Sequence, residues 1–223
     1  LQDFAPTVYL SMAAMIEEIM SVLAIPENSQ LLLVNPVPSY LNQLDDELAG
    51  QMLEQFLRLS SAADQARVPR YFAVSQDIDK REAWLSIPCE KNKPRVFHFG
   101  HDRPVWSNAD LIRAMLQEDR EQLFICGFWL DDVVAAAALE AQSLGFNTHV
   151  IVDLSLSFNP QTRQTSFDRF SQFGIVPIAL QNLLYEWMVK TEDDGCRKDL
   201  ETFWKEQKRL DRTPICDRLN GSD

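Results

Sequence analysis

The side chains able to hold a proton, a charge or a nucleophile fall in a few short stretches. Asn35 follows an apolar run, and Asp77 and Asp79 sit in Gln76-Asp77-Ile78-Asp79. His98 and His101 flank Phe99, and Cys126, Asp131 and Asp132 surround Gly127. A carboxylate pair can serve acid–base work or a loose divalent-cation contact. A hard-cation site recruits more oxygens than Asp77 and Asp79 supply, so a solvated turn accounts for them and no metal is expected. Cys126 ends the run Leu123-Phe124-Ile125-Cys126, where a thiol is buried and inert rather than reactive. Asp131 and Asp132 stand where a helix begins, and carboxylates there cap it and complement its dipole. Strand alternation puts His98 on the face of Gly100. His101 then falls at the strand's C-terminal end, where open parallel sheets bind ligands. His149 begins a strand with no partner evident, and nothing calls for a cofactor.

These positions depend on a particular alternation of elements. Leu31-Leu32-Leu33-Val34 reads as a strand buried on both faces, and Pro36-Val37-Pro38 after it as loop. Leu48, Met52, Leu53, Phe56 and Leu59 recur at helical spacing. Further strands are expected at 70–74, 95–99, 123–126 and 148–152, with a short one at 175–178. Helices are expected at 110–116, capped by Ser107 or Asn108, and at 133–144, 165–173 and 180–189. Gly127 reads as the turn after its strand and Gly145 as a helix stop. The alternation implies a three-layer α/β/α domain on a mostly parallel sheet.

An amphipathic helix at 9–23 carries Met12, Met15, Ile16, Ile19, Met20 and Leu23 on one face, which reads as packing surface. Gly195 sets off a tail whose Leu200, Phe203, Trp204 and Leu210 suggest a peripheral helix. The domain organisation is therefore 1–28 as an N-terminal helical extension, 29–190 as the α/β domain and 191–223 as a C-terminal helical tail.

A net charge of -12 argues against nucleic acid as a partner, since phosphate binding needs a basic face. No apolar stretch approaches the ~20 residues that span a bilayer, so no membrane role is expected. The four cysteines, Cys89, Cys126, Cys196 and Cys216, show no CxxC spacing, which favours reduced thiols and a cytoplasmic location over a Cys196–Cys216 disulfide.

The stretch Gly127-Phe128-Trp129-Leu130-Asp131-Asp132-Val133-Val134, with the alanine-rich run after it, resembles the signature of the isochorismatase-like cysteine hydrolases. The family pattern reads Gly, two variable residues, Thr, Asp, one variable residue, Cys, Val. Leu130 stands at the Thr, Asp131 at the Asp and Val133 at the nucleophilic Cys. The resemblance runs from Leu31 to Met188 and rests on order as well as motif. Arg67-Val68-Pro69 matches the turn before the second strand, and Gln76-Asp77-Ile78-Asp79 matches a Gln-Asp-x-His stretch. Trp106 matches a Phe before a helix start at Asp110-Leu111, and Val150-Ile151-Val152-Asp153 closes the match.

The resemblance implies a triad of Asp, Lys and Cys. Asn35 occupies the Asp place, and the Lys place falls near Gly100 or His101, where no Lys stands. Family enzymes that lack the Cys cleave a vinyl ether with the Asp as acid, a route that Asn35 also closes. The implied reading is a degenerate homologue acting through a ligand or protein partner, with no catalytic residue expected. The alternative is a non-thiol hydrolase of a small amide or vinyl ether using relocated His or Asp groups; a structural subunit beside an active paralogue is a third reading. The pocket is expected to involve Asn35, Asp77, His101, Trp106, Phe128, Trp129, Asp132 and Val133. Its aromatics, Phe99 among them, either plug it or form an apolar site for a flat ligand. Family members usually oligomerise, and Met12, Met15, Ile19, Phe203 and Trp204 add apolar surplus, so a homo-oligomer is expected.

Overall fold

Leu31 to Val34 form the inner part of β1 (Ser29–Val34), every residue of which is buried. In the computed structural model, which describes residues 23–79, 84–85, 92–100 and 102–210, β1 lies between β2 (Arg70–Ser75) and β4 (Gln122–Phe128). β3 (Arg95–Phe99) extends the sheet beyond β2, and β5 (Asn147–Leu156) and β6 (Val176–Ile178) extend it beyond β4. The order is β3-β2-β1-β4-β5-β6 with every pair parallel, as the strand–helix alternation predicts.

Seven α-helices are described: α1 (Pro38–Leu41), α2 (Asp46–Gln65), α3 (Ala109–Leu116), α4 (Ala135–Ser143), α5 (Arg163–Gln172), α6 (Leu180–Lys190) and α7 (Asp194–Leu210). Alternation along β1 sends Leu31 and Leu33 to one face of the sheet and Leu32 and Val34 to the other. The first face is covered by α2, α6 and α7 through residues such as Phe56, Leu183, Trp187 and Leu200. The second is covered by α3, α4 and α5 through Leu111, Met115, Ala138 and Phe170. The three-layer α/β/α architecture follows. Local chemistry sets the helix starts: Asp45 accepts the Leu48 N–H at 2.9 Å before α2, and Asn108 accepts those of Asp110 and Leu111 before α3.

Several boundaries differ from expectation. Pro38 is not loop but the first residue of α1, a position where its missing N–H costs nothing. β4 does not stop at Cys126 but continues through Gly127 to Phe128, and β5 continues past Asp153 to Leu156. One π-helical turn, Leu130–Val134, precedes α4. The tail helix is not peripheral. Leu200 is fully buried, and the buried Gln207 accepts a 2.6 Å hydrogen bond from Arg58 of α2. Gly195 lies inside the first turn of α7, its N–H donated to Asp193. Cys126 and Cys196 are free thiols. The amphipathic segment before Leu23, together with Cys89, His101 and Cys216, lies outside the described residues.

Among the described residues no helix is long and apolar enough to cross a membrane. No group of three or more His, Cys, Asp or Glu among them could hold a metal ion.

Candidate functional site

The strand order reverses between β1 and β4, and a ligand site in such a sheet lies at the carboxyl ends of those strands. A cleft of about 490 Å3 opens there. Asn35 enters it just past β1, Ser75 from the end of β2, and Asp77 and Asp79 from the turn that follows. Phe99 enters from the end of β3, Asp132 and Val133 from the π-helical turn after β4, and Ser39, Tyr40 and Gln43 from α1 and its exit. Asn35, Asp77, Asp132 and Val133, far apart in sequence, thus share one cavity. The described lining carries three carboxylates and no Lys, Arg or His.

Asn35 is 2% exposed and adopts a left-handed backbone at φ 49°, which asparagine tolerates better than most residues. Its N–H donates to the Ala73 carbonyl at 2.8 Å, and its Oδ1 accepts the Ser75 N–H at 2.8 Å. Its Nδ2 donates to Tyr40 Oη at 3.3 Å and to the Phe128 carbonyl at 3.5 Å. One amide therefore joins the ends of β1, β2 and β4. It needs both donor and acceptor to do so, and it takes up no proton at neutral pH.

Gly127 of β4 pairs with Val34 of β1 next to the site. At φ 131° it presses against Val34, and a Cβ there would run into the Val34 carbonyl oxygen. The strand passes through this residue because it is glycine. The Phe128–Trp129 peptide bond is cis. Leu130 and Val134 are buried, which leaves Asp132 and Val133 facing the cleft. Single π-helical turns of this kind recur at functional sites.

The expected aromatics divide. Phe128 is fully buried and stacks behind Tyr40 at 5.4 Å, supporting the cleft wall without lining it. Trp129 packs edge-on against Tyr40 at 5.9 Å and Phe158 at 5.7 Å, beside the cleft. Trp106 belongs to the core of the second face. Its indole N–H donates to the Ala137 carbonyl at 2.8 Å, and its ring stacks on Phe146. A buried indole satisfied in this way is packing, so Trp106 does not reach the cleft. Phe99 does, and sequence had placed it only among the surrounding aromatics. Ser39, Tyr40 and Gln43 carry no signal of their own once Pro36-Val37-Pro38 is taken as loop; proline at a helical N1 position is the available signal.

Cys126 lies in the first-face core, where burial, with a contribution from Asp153, pushes its thiol well above the ordinary range. His149 stacks on Phe124 at 4.6 Å, and burial lowers its pKa despite the Nδ1 contact with the Asn147 carbonyl. Neither lines the cleft.

Asp131 does not line the cleft, and instead of capping its helix it holds the loop after β5. Its carboxylate accepts the N–H groups of Phe158 and Asn159 at 2.9 and 3.0 Å and the Thr162 hydroxyl at 2.7 Å. Partial burial works to raise its pKa, but these bonds outweigh it and hold the carboxyl below the usual aspartate range. A depressed folded pKa gives stability that is present above the unfolded value and is lost as pH falls through the folded one. Amide exchange at Phe158 and Asn159, taken relative to the intrinsic rate at each pH, should therefore stay slow at neutral pH and become faster only in acid below about pH 4. Asp131→Asn should speed it at neutral pH and flatten the acid response. Unchanged exchange in Asp131→Asn would show that something else holds this loop.

A doubly wound parallel sheet with a cleft at its switch point defines the class of protein, and the comparisons give the family. The chain matches the Isochorismatase domain over residues 30–182 and belongs to that family. It is similar to the probable hydrolase YcaC of Escherichia coli (strain K12), 39% identical over 69 residues, 31% of this chain. That match spans 33% of the relative's length. The structure of the Escherichia coli YcaC gene product, described as an octameric hydrolase of unknown specificity, superposes with a TM-score of 0.66 at 21% identity, covering 90% of this chain and 99% of that one. YcaC from Pseudomonas aeruginosa, solved with hexane-2,5-diol and covalent acrylamide, gives 0.63 at 16% identity, covering 86% and 98%. At these identities the two structures are likenesses of fold.

Proposed function

We propose that this chain is an isochorismatase-family member whose cleft has lost cysteine-hydrolase chemistry and serves to bind a small ligand or a protein partner. One observation carries the reading: Asn35, Phe99 and Val133 converge on a single cleft. The resemblance puts Val133 where the family has its nucleophile and Asn35 where it has its base. The only β3 side chain in that lining is a phenyl ring, so no cation from β3 is supplied against an oxyanion. Valine provides bulk, and the asparagine amide is engaged in joining three strands. A volume of about 490 Å3 still suits a small molecule, and Ser39, Tyr40, Gln43 and Asp77 offer hydrogen bonds.

The second reading is a non-thiol hydrolase of a small amide or vinyl ether, favoured by the carboxylates of Asp77, Asp79 and Asp132 in the same cleft. The two separate by assay. Purified protein offered nicotinamide, an N-carbamoyl amine or isochorismate should release no product above the uncatalysed rate. Turnover that Asp132→Asn or Asp77→Asn removes would favour the second reading.

The same reading takes residues 29–190 as the family unit with 1–28 and 191–223 as additions, and places the protein in the cytoplasm with reduced thiols. It also takes the chain to self-associate, in keeping with the octameric description of YcaC. Light scattering should return a mass above the 25.6 kDa of one chain.

A further inference from the structure

A second hollow, of about 550 Å3, lies beside the cleft at the same edge of the sheet. It is lined by Gln76, His98, Asp102, Arg103 and Asn108, and Phe99 lines it as well as the cleft. Phe99 is 5% exposed and packed in the second-face core, and it borders both spaces. The rest of the partition is the end of β2. Ser75 and Asp77 face the cleft, whereas Gln76 between them faces the second hollow. The Gln76 N–H donates to the Phe99 carbonyl at 3.0 Å, which ties the two halves of the wall together. Ser75 is also the Cα partner of Phe99 in the β2–β3 ladder, so the ring's position follows from sheet register.

We propose that Phe99 is the residue that sets ligand size at this site: its ring closes the wall between two hollows and confines a bound molecule to the one beside Asn35 and Val133. The inference rests on the reading that this cleft binds a small molecule, and it names the kind: compact, hydrogen-bonding, and unable to extend across the end of β3. Phe99 is a lining residue of both, so removing its ring should open a passage between spaces of about 490 and 550 Å3. A molecule with a bulky appendage then becomes acceptable where only a small one was before.

The test puts a thiol in the cleft with Val133→Cys in the full chain and measures its modification by peptide mass spectrometry. The probes are N-methylmaleimide and N-(1-pyrenyl)maleimide, which share one reaction and differ in bulk. Reading the rate at the peptide that contains position 133 keeps the native cysteines out of the measurement. With Phe99 present, the small reagent should outpace the bulky one by about tenfold or more relative to their ratio on free cysteine, in line with the selectivity of shaped pockets. Adding Phe99→Ala should remove most of that selectivity by speeding the bulky reagent alone. Phe99→Leu should fall between, and Phe99→Trp should sharpen the discrimination, which keeps the test decisive if Phe99→Ala does not fold. Selectivity that is the same in all four backgrounds, or Phe99 variants that speed both reagents equally, would overturn the proposal. The readout needs no natural ligand, so it can fail or succeed independently of the binding reading.

Discussion

A variant carrying Asn35→Asp, Phe99→Lys and Val133→Cys together is expected to react with iodoacetamide at its introduced thiol about ten- to a hundredfold faster near neutral pH than Val133→Cys alone. A lone thiol among Phe99, Tyr40 and Ile78 has no cation among the described lining residues to favour its thiolate, and its apolar neighbours raise its pKa. A lysine ammonium from the end of β3 favours the thiolate, and a carboxylate in place of the Asn35 amide can take its proton. The three groups act as a unit, so single and double variants should fall near the starting rate; losses among coupled catalytic groups are strongly non-additive. The position chosen for lysine is Phe99 because that is the β3 side chain in the cleft, whereas His101 lies outside the described residues. Equal reactivity in the single and triple variants would mean that these three positions do not form one constellation.

Gly127→Ala is expected to be the most damaging single substitution at the site, costing about 4 kcal/mol or more in a denaturant titration or preventing folding outright. Two separate effects add. The backbone at φ 131° is one that a side chain rarely adopts, and the added methyl would meet the Val34 carbonyl oxygen in the neighbouring strand. Backbone on backbone cannot move aside without opening the β1–β4 ladder, which pairs all six residues of β1. Gly145 supplies the comparison. It too has positive φ, at 94°, but a Cβ there meets nothing within 4 Å. Gly145→Ala should therefore cost only about 1–2 kcal/mol of backbone strain. Similar losses for the two variants would refute the collision and leave φ as the whole effect.

The sheet was legible because its strands are unbroken apolar runs; Leu31 to Val34 could hardly be anything but a central strand. What misled was local. Gly127 reads as a turn on propensity, yet it is glycine because β1 presses against it, a long-range cause that no window around residue 127 contains. The direction in which Phe99 points depends on its pairing with Ser75, a long-range relation that no count along the chain contains. Trp106 and Phe128 look like pocket aromatics in a linear pattern, but one has its N–H satisfied by Ala137 and the other is sealed behind Tyr40. The tail helix was legible, but not the burial of its Leu200 and Gln207 against α2 and α6, because its apolar stripe is thin among many charges. Asn35, Asp77, Asp132 and Val133 were found because the resemblance to the family supplied their relation, which spacing alone could not.

On the function proposed above, the wild-type cleft carries no thiol chemistry. The most direct measurement is ammonia release from nicotinamide by purified wild-type protein, with and without prior treatment with iodoacetamide. The expected result is no release above the uncatalysed rate and no effect of the reagent, since the described thiols are Cys126, sealed in the core, and Cys196, on α7. Sustained release that iodoacetamide abolishes would contradict it, and would mean that a cysteine elsewhere in the chain carries the reaction that Val133 cannot.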